Sequence, residues 1–167
     1  VRMKKRMEMN DSIVISIASQ YYKFGEYGLP MDPQKAFELC LRAAELGNSN
    51  ACISAAGYYK DGVVVPKDMA KVREYFEKSA KKGGMQARFN LGVDEVIQKN
   101  FRLASRHWLI SAAAGCTHSL DGLSKSYKFQ VVTKEEYSST LASYRKVHKD
   151  EWSIAREAAA APGVRYY

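Results

Sequence analysis

The chain has 167 residues, of which 46% are apolar, 26% charged and only 4 proline. At that length a single domain buries roughly 70% of its unfolded surface, and the composition excludes disorder, collagen and a disulfide-dense scaffold for most of it. Basic residues outnumber acidic ones 26 to 18, a net charge of +8, and this diffuse surplus favours acidic partners or solubility without specifying a nucleic-acid site.

Residues 1–10 read as a basic lead-in with room for part of a preceding helix. Arg2, Lys4, Lys5 and Arg6 ahead of Ile13–Ala18 mimic a secretory leader, but that apolar run is 6 residues long and follows Asp11, whereas a leader needs ~7–15. No stretch approaches the ~18 uncharged apolar residues of a membrane span. The chain opens on Val1, and the expectation is a segment of a longer protein. Cys40, Cys52 and Cys116 are odd in number and unpaired in spacing, which fits an intracellular, reducing compartment or three buried thiols better than a disulfide framework.

From residue 11 onward the chain repeats itself. The spacing predicts helices over 11–24, 32–46, 48–61, 68–82, 84–97, 100–114, 116–129 and 134–158. Ala44–Gly47, Ala80–Gly83 and Ala112–Gly115 fall 36 and then 32 residues apart. In the same register, Tyr21–Gly25 matches Tyr58–Gly62, and Gly28–Asp32 matches Val64–Asp68. Each unit reads as two helices. The first carries small or apolar residues at positions 0, 4, 5 and 8, namely Val14, Ala18, Ser19 and Tyr22, then Ala51, Ala55, Ala56 and Tyr59. That spacing makes one helical stripe, with small residues where two backbones approach. Gly25 and Gly62 suit left-handed helix ends, Asp32 and Asp68 suit N-caps, and Pro33 suits a first helical turn. A pair this small cannot bury its stripe alone, so neighbours stack on it.

These residues resemble the Sel1-like repeat family, whose helix pairs are similar to tetratricopeptide repeats. Units 11–47 and 48–83 fit its pattern well, through Tyr59, Gly62, Val65, Asp68, Lys71 and Ala80–Gly83. Unit 84–115 keeps Ala87, Leu91, Gly92 and Ala104–Gly115, but its inter-helix segment is 4 residues shorter, and Glu95 and Gln98 replace the tyrosine and glycine. Unit 116–158 is degenerate and capping, with Ser119, Leu123 and Tyr127 in register, Tyr144 and Trp152 as anchors, and 159–167 as a tail whose Ala161–Gly163 should end the order. The resemblance implies an all-α, right-handed α/α solenoid of about four repeats and about eight helices. It further implies a protein–protein interaction scaffold or adaptor, without catalysis, cofactor or metal. Some members carry the repeats after a zinc finger, and the basic lead-in resembles that junction. On that view the chain is the repeat region of a larger, ubiquitin-ligase-like protein. A secreted, disulfide-stapled branch sets cysteines where Ala44, Ala51, Ala80 and Ala87 stand here, which argues against it.

Chemistry-bearing groups are sparse. His107 beside Trp108 reads as packing. Cys116 and His118 fall two ligands short of a structural zinc site, and adding Asp121 makes no ordered nucleophile. There is no phosphate-binding glycine loop. Tyr22, Tyr59 and Tyr127 sit in the packing register and read as core, so Tyr59→Ala should cost ~3–5 kcal/mol, as for a buried ring. Glu135–Glu136 and Asp150–Glu151 read as solvated faces, the former also matching a helix dipole.

If the pairs stack as in other helical-repeat scaffolds, the first helices line a concave face, and positions −1, 2, 6, 9 and 10 point into it. That selects Ser16, Gln20 and Lys23; Asn50, Ile53, Lys60 and Asp61; Gln86, Phe89 and Val93; and His118, Asp121, Lys125 and Lys128. Ile53, Phe89 and Val93 would floor the groove with lysines at its margins, suiting a peptide or partner protein with some acidic residues. The alternative is a basic helical-repeat subunit of a ribonucleoprotein or other large assembly. The contracted third unit is expected to be a weak junction around 92–101.

Overall fold

The computed structural model describes residues 2–160. Among them the helices are α1 (Arg2–Glu8), α2 (Ser12–Phe24), α3 (Pro33–Glu45), α4 (Ser49–Asp61), α5 (Met69–Lys81), α6 (Met85–Ile97), α7 (Phe101–Ala113), α8 (Thr117–Lys128) and α9 (Lys134–Ala160), with no strand. The eight predicted helices are all present within two residues at each end, and the lead-in adds α1. The chain divides into two compact units, Val1–Leu91 and Gly92–Tyr167, the division falling inside α6.

In the first unit α2 packs on α3, α4 on α5, and α3 on α4. The helix ends follow from local sequence. Asp11 accepts from the Ile13 and Val14 amides, Asp32 from Lys35 and Asp68 from Lys71. Each thereby satisfies an orphan donor of the first turn. Gly25 and Gly62 end α2 and α4 at φ +68° and +72°, conformations that cost a side-chain-bearing residue. The stripe behaves as its spacing predicts. Val14, Ala18, Ser19, Ala51, Ala55 and Ala56 are buried, so backbones meet closely, and the Ser19 hydroxyl donates to the Ala36 carbonyl at 2.7 Å. Cys40 and Cys52 are buried free thiols, and burial pushes Cys40 up to about 12. Aromatic rings close the outer layer. Tyr59 stacks on Tyr75 at 5.8 Å and meets Phe37 edge-on at 5.7 Å. Tyr59 is only half-buried, so a fully buried ring overstates the cost of removing it.

In the second unit α7 packs on both α8 and α9, and α8 on α9. Trp108 of α7 is buried between two glycines. A Cβ on Gly92 would fall inside its indole, and one on Gly122 would stand 2.8 Å from its ring. His107 beside it is half-buried. The start of α9 is a reciprocal capping box, a more specific role for Glu136 than a dipole match. The Glu136 carboxylate accepts from the Thr133 amide at 2.9 Å, and the Thr133 hydroxyl accepts from the Glu136 amide at 3.2 Å. Tyr127, expected in the core, is instead exposed. It sits in the last turn of α8, where its ring stacks on Tyr137 at 4.8 Å. Tyr144 is half-buried, and its hydroxyl pairs with that of Thr117 at 3.1 Å. The Trp152 side chain and the Ala161–Gly163 stop lie outside the described residues.

Candidate functional site

With Val14, Ala51, Ala87 and Ser119 as position 0, each unit has one groove between successive first helices, built at the same register positions. In the first unit it lies between α2 and α4, in the second between α6 and α8. Position 9 of the earlier helix supplies one wall, Lys23 in one case and Val96 in the other. Position 3 of the later helix gives Ser54 and Gly122, position 6 gives Gly57 and Lys125, and position 10 gives Asp61 and Phe129. The residue that opens the intervening second helix closes the end, Pro33 of α3 or Phe101 of α7. Val63 and Val64, or Val131, come from the loop beyond the later helix. A 3.6-residue period explains the set, since positions 3, 6, 7 and 10 share one helix face.

Size and charge differ because two substitutions compensate. Position 7 is Tyr58 in the first unit and Ser126 in the second. The matching position of the preceding second helix is Cys40 in the first and Trp108 in the second. Tyr58 therefore turns in beside the small thiol. Burial, reinforced by Cys40, pushes its phenol up to about 12, and the Lys23 ammonium lies 5.5 Å over its ring. The groove left is about 300 Å³, with Lys23 and Asp61 giving it both signs of charge. In the second unit the indole occupies the layer beneath, and the small Ser126 and Gly122 leave about 550 Å³. That groove is apolar, with Lys125 as the charged residue of its lining.

Among the predicted surface residues, Lys23, Asp61 and Lys125 line these grooves. Ile53 was expected on the floor but packs on the Ala80, Ala87 and Leu91 cluster, because position 2 turns toward the next helix pair. Ser16, Gln20 and Phe89 are half-buried, whereas Asn50, Lys60, Gln86, Val93, His118, Asp121 and Lys128 are exposed. Positions 3, 7 and 12 were missed. Small or aromatic residues there carry no surface signature, and only the repeat register marks them. Cys116 is the half-buried N-cap of α8 and His118 is exposed. Among the described residues no group of three or more His, Cys, Asp and Glu converges. No described helix is long and apolar enough to cross a membrane.

A further hollow, of about 540 Å³, lies where Lys78, Lys81 and Lys82 surround Leu46 and Gly47 just past the end of α3. Cations placed just past a helix C-terminus match its dipole.

The Sel1 repeat is matched twice in tandem, by residues 17–48 and 49–84. A Sel1 repeat protein from Oxalobacter formigenes superposes with a TM-score of 0.71 at 24% identity, over 86% of this chain and 62% of that one. A protective antigen present in uropathogenic Escherichia coli strains, displaying an SLR fold, gives 0.69 at 22% identity, over 85% of this chain and 32% of that one. The chain thus spans less than two thirds of either structure, and the likeness is one of fold. No curated protein matches it in sequence. Residues 17–84 thus carry two Sel1 repeats in tandem, and the all-α fold is that of these Sel1 and SLR repeat structures.

Proposed function

We propose that the chain is a non-enzymatic protein-interaction scaffold that holds a peptide or partner protein in the grooves between successive first helices. The observation carrying this reading is the recurrence of one groove at one register in both units. A repeat that rebuilds the same concavity with different side chains is suited to reading a partner in segments. The Sel1 fold, commonly a protein-interaction scaffold, supports it. So does the lining of the α6/α8 groove, which has no histidine, cysteine or carboxylate and therefore suits binding. The repeat organisation belongs to the same proposal, with 11–47, 48–83, 84–115 and 116–158 as successive units.

Filling both grooves at position 6 tests it. A Cβ at Gly57 meets nothing within 4 Å, and Lys125 is exposed, so Gly57→Trp with Lys125→Trp should leave the helical dichroism unchanged. Partners captured on the intact chain and identified by mass spectrometry should be lost from the double variant. Their retention would overturn the groove reading.

A further inference from the structure

The α6/α8 groove is not a larger copy of the α2/α4 groove; its chemistry selects a narrower class of ligand. Resting on the scaffold reading above, we infer that it receives a partner-protein peptide with one large apolar side chain, seated over Gly122 beside Trp108, and a carboxylate set against Lys125.

Three observations carry this. The first is room. Ser126 stands where the other groove is filled by Tyr58, and the Gly122 backbone leaves the indole of Trp108 as the wall, so about 550 Å³ is open. The second is unmet apolar surface. Phe129 is 75% exposed and Phe101 52% exposed at the rim. Two large exposed aromatic groups lining one groove mark an interaction site more than scattered surface residues do. The third is charge. No carboxylate lines the groove, and Lys125 makes no ion pair among the described residues. Outside the lining, exposed Asp121 and Lys128 stand about one turn to either side of Lys125 on α8 and offset one another, which leaves Lys125 as the charge of the groove itself. An apolar floor with a single-sign rim takes a ligand of the opposite sign. The α2/α4 groove carries both Lys23 and Asp61 and makes no such choice. A second copy of this chain is the poorer occupant, because at +8 two copies repel.

The test uses the intact, ¹⁵N-labelled 167-residue chain and synthetic blocked decapeptides of Ser, Gln and Ala. The first carries one Leu flanked by two Glu; in the second both Glu are Gln, and in the third the Leu is Ser. The first peptide should shift the amide signals of Gly122, Lys125, Ser126 and Phe129. Replacing Leu by Ser, or both Glu by Gln, should weaken it about fivefold or more, as should Lys125→Glu, consistent with an apolar anchor and one rim charge pair. Lys125→Glu should in turn prefer a peptide with Lys in place of Glu, a reversal that a loss of fold does not produce. Equal binding of the Glu and Gln peptides at this groove would overturn the inference. Shifts confined to the α2/α4 groove would overturn it while leaving the scaffold reading intact. Shifts that grow with protein concentration alone would assign the groove to a second copy and also overturn it. If no peptide shifts either groove, the scaffold reading fails with it.

Discussion

Three helix-interior glycines show how far residue identity is set by what stands opposite. Glycine in a helix interior costs up to ~1 kcal/mol relative to alanine, so each needs a local reason. At Gly92 and Gly122 the reason is Trp108, whose indole occupies the space a methyl group would need. Gly57 faces an open groove, with nothing within 4 Å of a built Cβ. Alanine substitutions should therefore differ in sign. Gly57→Ala should stabilise by up to ~1 kcal/mol, by helix propensity and the reduced freedom of the unfolded chain. Gly92→Ala and Gly122→Ala should destabilise by ~1–3 kcal/mol, the usual cost of forcing extra volume into a packed layer. Urea unfolding of the three variants checks this. A stabilised Gly92→Ala would mean that Trp108 swings away easily and does not fix the wall of the second groove.

At the scale of the element, the helices were legible in the sequence because their determinants are local. Asp11, Asp32 and Asp68 cap, Gly25 and Gly62 stop, and the small residues at positions 0, 4 and 5 pack, all within one or two turns of where they act. The grooves were less legible. Whether position 7 fills or opens its groove depends on a residue of another helix, Cys40 behind Tyr58 and Trp108 beneath Ser126, and no periodicity within one helix reports that. Tyr127 shows the same limit. It holds the packing register, yet lies outside the core against Tyr137. One surface network, by contrast, lies wholly on one helix, with its residues at i,i+3 and i,i+4 spacing. On α5, the Glu74 carboxylate accepts from Lys71 at 2.8 Å and from Lys78 at 2.7 Å. These two hydrogen bonds hold its pKa at about 2, against an ordinary 4.5. A carboxyl depressed in the folded state contributes in full above about 4.5 and loses that contribution as the pH falls towards 2. The group is largely solvent-facing, so the contribution is small, under about 1 kcal/mol. The thermal midpoint should fall across that acid window, and Glu74→Gln should flatten the part of the fall due to this network. An unchanged acid profile in the variant would show that solvent screens the network entirely.

Across the whole molecule, stability in a repeat array is the sum of local packing and nearest-neighbour interfaces, so where the chain departs from its own pattern decides where it opens first. The departure lies in the second half of α6 and the turn after it. In the first unit the corresponding stretch carries Tyr58 and Tyr59, whose rings lie against Phe37 and Tyr75, and its loop returns through an Asp68 amide bonded to the Tyr59 carbonyl at 3.0 Å. In α6 the equivalent of Tyr59 is Glu95, while Val93 and Ile97 face outward at 38% and 75% exposure. Few apolar contacts and exposed backbone hydrogen bonds lower the free energy of local opening. Amides over 93–101 should therefore exchange faster than those of 50–60 and 70–80 in native-state hydrogen exchange. One feature opposes this: Glu95 is buried, and its carboxylate accepts from the Asn100 side chain at 2.8 Å while the Asn100 amide donates to the Glu95 carbonyl at the same distance. That double bridge ties the turn to the helix without an aromatic ring. Asn100→Ala separates the two effects. If missing aromatic packing governs opening, the variant should speed exchange over 93–101 only slightly. If wild-type protection there already equals that of 50–60 and collapses in the variant, the bridge has replaced the ring, and the contracted segment is no weak point.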